Sequence, residues 1–190
     1  MITRFFTIAS ILFGLAGPVN AERWTLAQHG YWEVYAVDSG QRGLTCAVGN
    51  TAREGSFHLI VDENGFYQIV MYLYDAISDY REIDLELVLD GNGRGTEWTL
   101  YGARASDLGN GEVIVSFNLG YNPDHRAFTK DFMRQGRMRL IGRRGSLIAG
   151  WSLTGTTDAV VGLDACREKI AADRGLTRAN SDRTGDVFQR

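Results

Sequence analysis

The sequence predicts a mainly β domain, an antiparallel sandwich or barrel-like fold with one C-terminal helix packed on the sheet. Three observations lead there. Short runs rich in β-branched and aromatic residues recur along the chain, glycine-bearing turns separate them, and one long amphipathic segment ends the pattern. The chain has 190 residues, 44% hydrophobic and 23% charged, enough for a real core and too apolar for wholesale disorder. Its net charge of −3 argues against non-specific nucleic-acid binding, which needs a basic surface to release counterions.

The first segment reads as an address rather than as structure. Arg4 precedes an apolar stretch from Phe5 to Ala16, Gly17 and Pro18 break it, and Val19 and Ala21 supply small residues for cleavage. That is the order of a secretory signal peptide over residues 1–21. Twelve residues as a helix span about 18 Å, short of a roughly 30 Å hydrocarbon core. No later run is long and apolar enough to span, so no membrane span is expected once the leader is removed. The expected organisation is a leader, one β-rich domain over 22–174, and a flexible tail over 175–190. Location follows as periplasmic or secreted.

Strands are expected over Tyr31–Val37, Leu44–Val48, Ser56–Val61 and Phe66–Leu73, the last two flanking Asp62-Glu63-Asn64-Gly65. Asn-Gly there supplies the positive φ of a tight hairpin. Ile83–Leu89 alternates, with Asp84 and Glu86 outward on an edge strand; a glycine-rich turn from Asp90 to Gly95 leads to Thr96–Tyr101. Asp107–Gly111 is a turn before Glu112–Leu119, and Arg137–Ile141 with Ser146–Leu153 form the last hairpin. Pro123–Arg134 carries Phe128, Phe132 and Met133 at helical spacing and reads as a short helix. The stronger helix follows Gly155, with Thr156 and Thr157 as caps, Asp158 near its positive end, and Ala159, Leu163, Cys166 and Ile170 on one apolar face.

An exported chain with two cysteines, Cys46 and Cys166, is expected to pair them, stapling the helix to the second strand. They are too far apart for a redox motif and too few for structural zinc. In the same region, Trp151-Ser-Leu-Thr-Gly-Thr-Thr-Asp-Ala-Val-Val-Gly-Leu-Asp-Ala-Cys166 resembles the closing segment of small exported alphaproteobacterial proteins, of the form S-L-x-G-S/T-x-x-A-x-x-x-L-x-x-C. Invasion-associated locus B-like proteins are similar in that strand–glycine–helix ending. The likeness covers 16 residues, and the extra cysteines of that family are absent. It implies a periplasmic β-rich domain and brings over no functional residue.

Catalytic patterns are poor. His29, in a stretch expected to be mobile, His58 within a strand and His125 near a helix start are too scattered for metal ligation, and no nucleophile elbow, zinc-protease or phosphate-loop motif occurs. Asp90, Asn92 and Gly95 imitate part of a calcium loop, but Arg94 and Tyr101 stand where oxygen donors belong. No catalytic residue, metal or cofactor is assigned. Carboxylates at Asp75, Asp79, Glu82, Asp84, Glu86 and Asp90 read as a solvated face that protects a sheet edge.

Two surface resources remain. Arg137 and Arg139 alternate with Met138 and Leu140, so both guanidinia project from one sheet face, close in sequence to Arg143 and Arg144. Such a patch suits an envelope protein or an anionic envelope component. Phe66–Tyr74 is apolar on both faces, so its strand is either central and covered twice or exposes Tyr72 and Tyr74 for binding. The preferred reading is a non-catalytic binding or accessory module. An envelope hydrolase using the surface carboxylates or a histidine and a structural or host-interaction factor stay open; two convergent carboxylates in a cleft or a His beside a Ser would favour the enzyme, a flat aromatic or arginine-rich face the binder.

Overall fold

The computed structural model describes residues 22–38, 43–74, 86–90, 95–100, 103–109, 111–120, 124–142 and 145–173. The leader, the tail, and the segments carrying Asp75 to Asp84 and Arg143 with Arg144 lie outside these residues.

Two antiparallel sheets form the domain. The larger sheet is built from β1 (Glu22–His29), β2 (Trp32–Asp38), β3 (Leu44–Ala52), β4 (Gly55–Asp62), β5 (Tyr67–Leu73), β8 (Arg104–Gly109) and β9 (Glu112–Gly120), in the order β1-β2-β3-β4-β5-β9-β8. The smaller sheet takes β6 (Glu86–Asp90), β7 (Thr96–Thr99), β10 (Arg137–Ile141) and β11 (Leu147–Ser152), ordered β11-β10-β6-β7. Helix α1 spans Asp124–Arg134 and α2 spans Thr156–Asp173. The expected β class and the C-terminal helix on the sheet are therefore present, with α2 lying against β1, β2 and β3.

Three expectations need correction. Glu22–His29 and Arg104–Gly109 are strands, so His29 is paired with Trp32 rather than mobile. Both strands are exposed along most of their length, so neither carries the alternation that marks a half-buried strand. β6 is not an edge strand, because β10 and β7 flank it. Finally, Thr156 and Thr157 do not cap α2. Their hydroxyls reach the carbonyls of Phe132 at 3.0 Å and Met133 at 3.2 Å, which the last turn of α1 leaves unpaired. The two threonines thus join the end of one helix to the start of the other.

The core is aromatic at its centre. Trp32 meets the edge of Phe132 at 4.9 Å, and Phe57 lies between Phe132 and Trp151 at 5.7 and 5.6 Å. Edge-to-face and offset contacts of this kind add to plain area burial. Polar ends of the rings are satisfied: Trp32 donates to the Ser152 carbonyl at 2.9 Å and Trp151 to that of Gly55 at 3.2 Å.

Cys46 and Cys166 are bonded, with Cα atoms 6.0 Å apart, and both are buried. Beside this staple the turn into α2 packs against the β1–β2 hairpin. Gly155 has φ +95°, and a Cβ there would lie 2.3 Å from the His29 carbonyl oxygen. Glycine is required on both counts, conformation and space.

Gly155→Ala should therefore destabilise the domain by about 2 kcal/mol or more, read as a lowered urea midpoint. Replacing both cysteines by serine should cost about 2–5 kcal/mol, most visibly as early loss of α2. Thiol titration of the unfolded, unreduced wild-type chain should find no free thiol.

Candidate functional site

Two places gather polar side chains with geometry worth weighing. The first is the outer face of the larger sheet, where the registers Glu33↔Gly49↔His58 and Ser56↔Tyr72 bring distant residues together. His58 Nδ1 lies 2.8 Å from the Tyr35 hydroxyl, and Nε2 lies 2.9 Å from Ser56 Oγ. Tyr72 meets the imidazole edge-on at 5.7 Å. Arg23 stacks over the Tyr35 ring at 3.8 Å and pairs with Glu33, which also accepts from Thr25. Gly49 makes room for the imidazole, since a Cβ there would be 2.4 Å from Nδ1.

Burial dominates the electrostatics. Desolvation, reinforced by Arg23, pushes the imidazole down to about 4, so it is neutral above that pH. Desolvation likewise pushes the Tyr35 phenol up to about 12, so it keeps its proton.

A histidine beside a serine is the arrangement that favours an enzyme, so accessibility decides. Ser56 is only 4% exposed and its strand is paired on both sides. An attacking hydroxyl must meet a carbonyl carbon next to free donors for the oxyanion, and here ladder pairing occupies the neighbouring backbone. The network braces Tyr35 and His58 across β2, β3 and β4. It offers no reachable nucleophile.

A comparable cluster sits under α2. Tyr67 donates to Asp164 at 3.0 Å, and the His125 ring stacks flat on Tyr67 at 4.5 Å. Burial raises both the phenol and the carboxyl, and Arg167 opposes the rise. His125 is itself buried, so this cluster also belongs to packing.

The second place is an open groove of about 650 Å³ beside β11. Every residue of β11 lines it, together with Gly136, Arg137, Arg139 and Glu54. Met138 and Leu140 are fully buried, so Arg137 and Arg139 do share the outer face. Across the ladder Arg137 faces Ser152 and Arg139 faces Gly150, two small residues. Arg139 is held by Asp90, whereas Arg137 is exposed and has no ion pair among the described residues.

Of the residues singled out by sequence, the structure brings Arg137 and Arg139 together in this groove. Tyr74 approaches its rim, its N–H donating to the Glu54 carbonyl at 3.0 Å. Tyr72 and Tyr74 are 36% and 37% exposed, and β5 is central, with one face open. Tyr72 belongs to the His58 network rather than to the groove. Glu54, Gly150 and Ser152 were not singled out; the placement of the last two depends on the register of β11 against β10. β6 and β7 pair as an antiparallel hairpin, and residues 91–94 between them lie outside the described residues. Among the described residues no group of three or more His, Cys, Asp or Glu could hold a metal ion, and no helix is long and apolar enough to cross a membrane.

The chain matches no family model, no curated protein and no solved structure.

The neutral, buried imidazole carries a pH prediction. The unfolded chain takes up a proton near pH 6.5 while the native His58 resists until about 4. Stability from this group is therefore full above pH 6.5 and falls as pH drops toward 4, by up to about 3 kcal/mol. Urea midpoints across that window should fall more steeply for wild type than for His58→Gln.

Proposed function

We propose that this chain is an exported, non-catalytic binding module that takes an acidic partner or an anionic envelope component in the groove beside β11. The observation that carries the reading is the pairing of Arg137 and Arg139 with Ser152 and Gly150 along an open wall, where Arg139 is held by Asp90 and Arg137 stays exposed. Glu54 is the one carboxylate among the lining residues, and Asp90 engages Arg139, so Arg137 is the cation left for a ligand. An exposed arginine without an ion pair among the described residues, on a chain of net charge −3, supports a directed contact rather than a general cationic surface.

Three further points support it. The hydrophobic leader with small residues at its end reads as an export signal. A buried disulfide suits an oxidising compartment. The Trp151-to-Cys166 segment resembles the ending of small exported β-rich proteins. The Ser56–His58 contact lends no support to a hydrolase, because Ser56 is buried beneath its own network.

The folded chain should be retained on an immobilised polyglutamate matrix at low salt and released as salt rises. Arg137→Glu combined with Arg139→Glu should abolish retention while the near-UV circular dichroism stays native. Equal retention of the double variant would remove the groove from consideration.

A further inference from the structure

The two sheets have four edges among the described residues, and three of them are guarded. β1 carries Glu22 and Arg23 and is bulged between Thr25 and Ala27. β8 carries Arg104 and Asp107 and is bulged between Asp107 and Gly109. β7 is four residues long and bears Glu97. Charge, brevity and bulges are the means by which sheets avoid recruiting another strand.

The fourth edge lacks most of these guards. β11 reads Leu-Ile-Ala-Gly-Trp-Ser, with no charge and no proline, and no described strand pairs with its outer side. Its one irregularity lies at the Leu147 end. The Leu153 N–H bonds the Gly136 carbonyl, so antiparallel alternation turns the backbone of Gly150 and Ser152 away from β10. The Ser152 carbonyl confirms the direction, because it accepts from Trp32 and Asn50 of the larger sheet. Gly150 N–H and C=O, and the Ser152 N–H, face the groove.

Resting on the groove reading above, we propose that β11 is a docking edge for an extended peptide strand with acidic side chains at alternate positions. A guest strand pairs its backbone with Gly150 and the Ser152 N–H, as in strand addition generally. Its side chains then alternate between the two faces, two residues apart, the same period that separates Arg137 from Arg139. Because Ser152 is small, Arg137 opposite it has room on that face, and a carboxylate of the guest meets it, whereas the Arg139 guanidinium turns to Asp90 on β6. Arg137 supplies the stronger contact, since Asp90 already engages Arg139. A peptide is favoured over a headgroup because the whole length of a strand lines the groove, offering backbone donors and acceptors in a row.

The test titrates the folded chain with a blocked Thr-Glu-Thr-Glu-Thr-Glu-Thr peptide, its lysine counterpart, and a copy N-methylated at alternate residues. The acidic peptide should bind, and the lysine and N-methylated peptides should each bind about tenfold or more weakly, the worth of a charged hydrogen bond. Arg137→Glu should lower affinity by a similar factor. Gly150→Pro removes one outward N–H, leaves the β10 ladder intact, and should also cost about tenfold. Near-UV circular dichroism and the absence of free thiols check that each variant is folded. Failure of the acidic peptide to bind overturns the proposal. Equal binding of the N-methylated peptide also overturns it, leaving a simple anion groove and the binding-module reading intact. Dimers in the absence of peptide that Gly150→Pro dissociates would assign the edge to a second copy and overturn it as well.

Discussion

The corner at Ser152–Thr156 is where the whole fold is tied. The Ser152 carbonyl accepts the Trp32 indole and the Asn50 amide, which closes the smaller sheet onto the larger. One turn later Gly155 rests on the His29 backbone, and Thr156 and Thr157 take the loose carbonyls of α1. Buried carbonyls without donors are costly, so each of these bonds also keeps a neighbouring element from exposing its end. Helix α2 leaves this corner in the one direction that sets Cys166 beside Cys46.

That arrangement also decides which backbone stays open. β11 is drawn against the larger sheet at its Ser152 end, while its backbone toward Gly150 stays open to the groove. The arginines of β10 then face an edge rather than a plain surface. On the outer face of the larger sheet the opposite happens. Tyr35, His58 and Ser56 satisfy one another, and their mutual bonds leave little for a ligand to claim.

Much of this architecture was legible in the residues. Strands with one buried face announced themselves by alternation, as Arg137–Ile141 does, and that same alternation put Arg137 and Arg139 on one face. Cys166 among Ala159, Leu163 and Ile170 pointed to the staple. What escaped were elements whose burial is set by tertiary position. β1 and β8 are edge strands with little buried surface, so their side chains carry no period. The role of Gly150 needed the register of β11 against β10, and the Tyr35–His58 contact crosses three strands. The threonines after Gly155 were read as caps because local rules see only the helix they begin, not the one they finish.

The staple and the Trp32–Ser152 bond have one thing in common: each joins residues 120 positions apart. A chain leaving the ribosome has neither the Ser152 carbonyl for the Trp32 indole nor the thiol partner of Cys46 until nearly the whole domain has emerged. Early strands can pair as hairpins, but the core stays unsealed until its last helix arrives. Such late closure makes folding slow relative to locally wired folds of similar size. It also keeps the unfinished chain pliable for as long as any part of it is still in transit.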